Sequence, residues 1–337
     1  SSEPALRTPT RGGEEPKPRT RKINDMAHEL SITADGRAEM FSGNNKVPWH
    51  GLGEVVEGTL SSSAAIKAAH LDWSVDLRPC QTADAVAIPG YWASVRTDTN
   101  APLGVVQGRY NPIQNVEAFD FMDSLVGEGK MTYETAGALR GGKVVWIMAK
   151  YNGPVKLGGD DHKHWCLLVT SHNGSKPLSV QWVSERVVCA NTLSLALAGK
   201  QNSMTIRHSK RWKDKADQAR QVLGLTEAYF SALKERADRL VEQAMSEMDV
   251  HEFTIQLLPQ EGAELPKQRA TARAEIVNLF SRGAGNRGKT RWDALCAVTD
   301  YADHVLPMRG VTTRLETAVM GGSGTALKQR AYDLLAA

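Results

Sequence analysis

Cysteine is scarce in this chain. The four residues Cys80, Cys166, Cys189 and Cys296 stand far apart with no CxxC pair, which argues against a small disulfide framework or a standard zinc ribbon and leaves reduced, semi-buried thiols as the expectation. Long apolar runs are missing as well. None approaches the roughly 20 residues needed to cross a bilayer, and the N-terminal stretch lacks the apolar core of a secretory signal. A cytoplasmic protein with no membrane association is therefore expected. A large excess of one charge is also absent. The formal net charge is +3, of which residues 1–25 carry +2 through Arg7, Arg11, Lys17, Arg19, Arg21 and Lys22 against Glu3, Glu14, Glu15 and Asp25. A body close to neutral does not coat itself in nucleic acid, so any such binding must use local patches.

What is present describes an ordinary globular chain. With 337 residues, 41% of them hydrophobic and 23% charged, it can bury the core of one large domain or two smaller ones. Residues 1–25, rich in Pro, Arg, Gly and Glu, read as disordered. Met26 follows as a candidate natural start, with the residues before it read as an upstream extension. Residues 26–204 read as an α+β sheet domain and residues 205–337 as a helical region packing on it.

The first half is punctuated like antiparallel sheet. Ser61-Ser62-Ser63 caps a short helix over Ala64 to His70. Strand-like runs follow at Trp73 to Leu77, Tyr91 to Arg96 and Leu103 to Val106, between Pro, Gly, Asp and Asn signals. A helix over Val116 to Val126 places Phe119, Met122 and Leu125 on one face, with Asn115 as its cap. Gly141-Gly142 and Asn173-Gly174 each separate two β-prone runs and predict hairpins, because they tolerate positive φ.

Strands followed by helices, without alternation, argue for a mainly antiparallel sheet succeeded by helices. The turning point is Ser184 to Leu197. Its β-branched Val187 and Val188 pass into Leu193, Leu195 and Leu197, a pattern that predicts a sheet edge turning into a core helix capped by Asn191 or Thr192. A long helix is expected over roughly Lys210 to Met248. Further helices are expected around Thr271 to Phe280, Trp292 to His304 and Thr325 to Leu335, separated by Gly-rich joints.

Several patterns invite a chemical reading. Gly283-Ala284-Gly285-Asn286-Arg287-Gly288-Lys289-Thr290 satisfies GxxxxGK[ST], the loop that cradles phosphates when it follows a buried strand. Here helix-like sequence precedes it and no downstream strand offers a magnesium-holding acid, so it reads as a basic loop between helices. His162, His164 and His172 beside Asp160 and Asp161 have the look of a metal cluster. No Cys/His set at zinc spacing completes it, so the better reading is a solvated hairpin edge, with no metal or cofactor.

Cys189 with His208 could form a thiol dyad, with Asn191 and His50 as further catalytic candidates. His50, in the loop Val47-Pro48-Trp49-His50-Gly51-Leu52-Gly53, is more simply a structural hydrogen-bonding residue. Two basic–aromatic clusters complete the set. Arg207, His208, Lys210, Arg211, Trp212, Lys213 and Lys215 form one. Arg282, Arg287, Lys289, Arg291 and Trp292 form the other. Cations that neutralise phosphates beside a Trp that stacks on an unpaired base are how sequence-tolerant single-strand binding works, although charge runs are more often solvated helix faces.

An ordered set of motifs adds a resemblance. Pro48-Trp49-His50-Gly51-Leu52-Gly53, Tyr110-Asn111-Pro112-Ile113-Gln114-Asn115, Glu134 to Gly142, Arg186-Val187-Val188-Cys189-Ala190-Asn191-Thr192-Leu193, Ile206-Arg207-His208-Ser209 and Ala297 to His304 resemble, in this order, the phage/plasmid-like proteins of the domain-of-unknown-function family 932. The resemblance runs from about Ser31 to about His304. It implies a protein of phages and plasmids acting in DNA replication, recombination or transfer.

In element order alone the chain is also similar to strand-annealing recombinases of the Red-beta, Erf and Rad type, whose diagnostic motifs it lacks. The leading expectation is a non-enzymatic DNA-binding protein that anneals or protects single strands, with a homo-oligomer as the expected assembly. Arg207, Lys210, Arg211, Arg287, Lys289 and Arg291 would hold phosphates, and Trp212 or Trp292 would stack. The alternatives are a nuclease or thiol-dependent enzyme, and a host-interaction or anti-defence protein that touches no DNA.

Overall fold

Val144–Tyr151 is apolar at every position but Lys150, and residues 165–169 of Asp160–Ser171 form an unbroken apolar run, which suits strands covered on both faces. The computed structural model describes residues 30–43, 53–126, 129, 131–153, 155–186, 188, 191–193, 203–214, 226–260, 266–307, 317 and 319–337. Within them, β1 (Met40–Ser42), β2 (Glu54–Val55), β6 (Met131–Leu139), β7 (Val144–Tyr151), β8 (Val155–Leu157), β9 (Asp160–Ser171), β10 (Leu178–Arg186), β11 (Asn191–Leu193) and β12 (Ser203–Ile206) form one sheet. Its order is β11-β10-β9-β7-β6-β1-β2, with β8 pairing β9 and β12 pairing β10. Every pairing is antiparallel except β1 with β2. A second sheet holds β3 (Val75–Gln81), β4 (Ala87–Arg96) and β5 (Pro102–Gln107).

The period-two geometry of a strand sends alternate side chains to opposite faces. Val145, Ile147, Ala149, Cys166, Leu168, Val180 and Trp182 join the main core, while Val144, Trp146, Leu167, Val169 and Val183 face a smaller cluster closed by Val319. The main core is built with α1 (Ser62–Ala68), α2 (Asn115–Val126), α3 (Thr226–Glu242), α4 (Glu247–Leu257), α5 (Lys267–Arg282), α6 (Arg291–Asp300) and α7 (Ser323–Ala336). The α+β reading holds: antiparallel sheet first, helices after it.

Both expected hairpins are present. Gly141 (φ 68°) and Gly142 (φ 95°) turn β6 into β7, and Gly174 (φ 74°) lies between β9 and β10.

Two expectations are corrected. Asn191–Leu193 is not the start of a core helix but a strand, pairing Asn191 with Arg186 and Leu193 with Ser184. The edge of β10 takes up Asn191–Leu193, so at these three residues tertiary pairing overrides the helical expectation. Leu195 and Leu197 lie outside the described residues, as do residues 1–25 and Met26. The long helix is also interrupted. Within its expected span, described helix runs over Thr226–Glu242 and resumes at Glu247, because Ser246 and Asp249 form a reciprocal capping box. Across the break, Met245 N–H donates to Lys289 O at 2.9 Å and Arg291 N–H to Gln243 O at 3.0 Å.

Candidate functional site

Arg186, the last residue of β10, is 4% exposed at its side chain. Its Nε and Nη2 hold the Asp160 carboxylate at 2.8 and 2.5 Å. The same guanidinium donates to Gly285 O at 2.8 Å and to Asn286 Oδ1 at 2.7 Å, both in the loop between α5 and α6. Asn286 is itself oriented by donating to Leu279 O at 2.8 Å. Gly285 sits at φ +76°, and a Cβ there would lie 2.6 Å from Val188 and 3.1 Å from the Arg186 guanidinium. Only glycine allows this approach. The fork geometry of arginine thus fastens the end of the sheet to the helical layer.

His162 and His164 lie inside this junction and His172 is buried just past the far end of β9, which corrects the solvated-edge reading. His162, His164 and His172 are 7%, 1% and 0% exposed. His164 Nδ1 shares a 2.5 Å hydrogen bond with Ser184 Oγ, its cross-strand partner, and the ring stacks on Phe230 from α3 at 4.0 Å. Burial, reinforced by the charge of His162, brings His164 down to about 3, so it is neutral. His162 is lowered too, first by burial, and its Nδ1 meets Asp160 O at 3.0 Å. Helical packing over this end of β9 removes the water that the hairpin reading assumed. Among the described residues, no group of three or more His, Cys, Asp or Glu is placed to hold a metal ion.

The GxxxxGK[ST] segment is likewise settled by its neighbours. It follows helix α5, not a strand. Its inward amides already have an anion: Arg287 N–H donates to Asp293 Oδ1 at 3.2 Å, while Lys289 N–H and Thr290 N–H donate to Oδ2 at 3.0 and 3.1 Å. Thr290 caps α6 and accepts from Asp293 N–H at 3.2 Å, completing a capping box. The 5%-exposed Asp293 carboxylate therefore stands where a phosphate loop would place a phosphate. Thr290-Arg291-Trp292-Asp293 carries the [ST]-x-x-[DE] capping signature, and that was the readable signal against a nucleotide.

A second polar cluster lies at the other end of β9 and β10. His208 Nδ1 accepts from Ile113 N–H at 3.3 Å, which puts the ring proton on Nε2, facing Thr170 Oγ1 at 3.3 Å. The ring stacks on Tyr110 at 4.9 Å, and burial lowers its pKa to about 4. With both nitrogens engaged, His208 is a packing residue and not a general base, a correction to its place among the catalytic candidates. Cys189 and His50 lie outside the described residues, as does the Asn191 side chain.

Nearby, His172 Nε2 meets Asn115 Oδ1 at 2.8 Å, and its ring meets the edge of Trp73 at 5.3 Å. Asn115 Nδ2 donates to Leu71 O at 3.0 Å, so this residue orients a loop as well as opening α2. Arg96 lies over Trp73 at 4.1 Å and binds the fully buried Glu39 at 2.6 Å and Asp98 at 2.7 Å. Glu39, Trp73 and Asp98 line one side of an open cleft of about 380 Å³, with Thr33, His70 and Asp72. No sequence pattern pointed to the Glu39–Arg96 pair, whose members stand 57 positions apart.

The basic–aromatic candidates divide. Trp212 and Trp292 are 6% and 4% exposed and belong to the core, so neither indole offers a face on which a base could stack. This corrects their proposed role: the hydrophobic gain from burying so large a side chain outweighs exposure at either cluster. Arg207, Lys210, Arg211, Arg287 and Lys289 are exposed. Arg211 pairs with Asp214 at 3.0 Å, and Arg291 donates to Leu335 O at 2.6 Å near the end of α7.

The two clusters are attached to opposite ends of β10. Ile206 pairs with Leu178, whereas Gly285 and Asn286 bind Arg186. Leu178 and Arg186 are the first and last of the nine residues of this strand, which puts the two attachments about 26 Å apart at the usual rise. They are two patches, not one.

The family model described as Domain of unknown function (DUF932) matches residues 102–320. This span holds the motifs from Tyr110 to His304, together with both ends of β10. No curated protein and no solved structure was found to match the chain.

Proposed function

The chain belongs to the DUF932 family, and we propose that this protein of a mobile element binds DNA without enzymatic turnover, in replication or recombination, with single-strand annealing as the fullest form of that role. The observation that carries the reading is the exposure of Arg207 and Lys210 at one end of β10 and of Arg287 and Lys289 at the other. Cations attached at the two ends of one strand would engage separate stretches of one nucleic-acid backbone. Phosphate contacts of this kind supply affinity without sequence preference. The engaged ring nitrogens of His208 favour binding over acid–base chemistry at that place.

Fluorescence anisotropy with a labelled single strand across a salt series tests the reading. Four phosphate contacts give a log–log salt slope of about −3. Absence of binding at low salt would overturn the proposal. A second reading, a partner protein of the host, is favoured by Val86 and Ile88, which are 62% and 40% exposed near the β3–β4 turn. Pull-down with and without nuclease treatment separates it from the first.

A further inference from the structure

Removal of Trp212 and Trp292 from the surface leaves the proposed single-strand binding without an aromatic platform at either basic cluster. The second sheet supplies one. Ala93 of β4 pairs directly with Arg78 of β3 and Val105 of β5, so these three side chains share a face. Tyr91, two residues before Ala93 and paired with Gln107, lies on that same face. Tyr91 is 46% exposed and Val105 63% exposed. By contrast Ser94 and Val106, on the opposite face, are buried.

This outer face ends beside the first basic cluster. Past Gln107, Gly108 N–H donates to Gly90 O at 3.0 Å, and Asn111 N–H donates to His208 O at 3.2 Å. The exposed Arg109 therefore sits between Tyr91 and the exposed pair Arg207 and Lys210. Arg78 is held by Asn100 Oδ1 at 2.8 Å and lies 4.0 Å from Asp76. Among the described residues, the charge of the patch without an ion-pair partner is thus positive and gathers at the Arg109 end.

We infer that single-stranded nucleic acid lies across the outer face of the β3–β4–β5 sheet, with Tyr91 stacking on a base, Val105 covering its flank, and Arg109, Arg207 and Lys210 taking the phosphates. The inference rests on the DNA-binding reading and assigns it a surface. An open antiparallel sheet carrying an exposed aromatic, with cations along one margin, suits unpaired bases and excludes a stacked duplex. Tyrosine serves here because it offers an aromatic face at little loss of side-chain freedom.

The test uses the full chain, a labelled oligothymidine strand of about 20 nucleotides and its duplex form at low salt. Single strand should bind more tightly than duplex. Tyr91→Ala should weaken single-strand binding about tenfold or more, while Tyr91→Phe retains it. The Arg109→Ala/Arg207→Ala double variant should shallow the salt slope by about 1.4. Far-ultraviolet circular dichroism of each variant confirms that the sheet is intact.

If the protein binds single strands but Tyr91→Ala changes nothing and Arg287→Ala/Lys289→Ala abolishes binding, this surface assignment fails while the DNA reading stands. If Tyr91→Ala leaves binding intact and lowers the oligomeric mass in solution, the face is a self-association surface and the inference is overturned. If no strand binds at low salt, both fall together.

Discussion

Arg186 and Asp160 lie 2.5 Å apart at the adjoining ends of two neighbouring strands, with the guanidinium 4% and the carboxylate 30% exposed. The pair does not stand alone, since the same guanidinium also donates to the loop between α5 and α6, at Gly285 O and Asn286 Oδ1. The most distinctive motif of the sequence therefore works as a fastening between layers. Four consequences can be measured.

Arg186→Met should destabilise the fold by about 3 kcal/mol, the lower end for breaking a buried pair, because Asp160 retains some water. Arg186→Lys should recover little of it, since one ammonium cannot serve Asp160, Gly285 and Asn286 together. Urea unfolding of the three proteins checks the order, and an Arg186→Lys variant as stable as the parent would contradict it.

Asp293 should matter for stability and Lys289 should not matter for nucleotide. Asp293→Ala removes a cap and leaves the amides of Arg287, Lys289 and Thr290 without their anion, a loss of about 1–2 kcal/mol. Magnesium ATP should leave the melting temperature of the parent unchanged, because a ligand stabilises only what it binds. A saturable upward shift abolished by Lys289→Ala would show a working phosphate loop after all.

Acid should weaken the protein through its buried histidines. His164 and His172 are brought to about 3 and His208 to about 4, all first by burial, from an ordinary value of 6.5. The folded state therefore refuses protons that the unfolded chain accepts. Stability is full above pH 6.5 and is lost as pH falls from there through about 4 and 3, by up to about 1.4 kcal/mol per unit for each ring. His208→Gln keeps an acceptor for Ile113 N–H and a donor for Thr170 while removing one titration. Its unfolding free energy should fall less steeply between pH 6.5 and 4, and an unchanged slope would exclude His208 from the effect.

Lys328 and Asp303 form a buried ion pair between α7 and the Tyr301–Val305 turn, with side chains 1% and 6% exposed. Burial lowers the Lys328 pKa and Asp303 pulls it back only in part. Lys328→Met alone should cost about 3–5 kcal/mol by taking the buried cation away from Asp303, and adding Asp303→Asn should recover a large part. A thermodynamic cycle over the four proteins reads the coupling, and additive losses would show that the pair is not coupled.

Much of the architecture was legible before any tertiary contact was known. Gly141-Gly142 and Asn173-Gly174 announced their hairpins because positive φ is a local demand that few residues meet. The helices over Ser62–Ala68 and Asn115–Val126 followed from caps and apolar spacing. Thr290 and Asp293 were also readable as a cap, but a coincident phosphate-loop pattern competed for the same residues. Where the reading failed, at Asn191–Leu193 and at the two tryptophans, the deciding partner was remote: the free edge of β10 in one case and the shared core in the other.

From the sequence alone came the α+β class, the order of sheet before helices, the hairpins, and the motifs by which the family is known. These depend on local backbone preference and on the period of apolar residues, which neighbours in the chain determine. Tertiary structure alone decided that Arg186 is a fastening, that Asp293 fills the nest of a false phosphate loop, and that His164, His172 and His208 are neutral packing residues. It also decided that the two basic clusters stand at opposite ends of β10. Burial and charge pairing depend on which distant residues arrive at the same place, and no spacing along the chain carries that information.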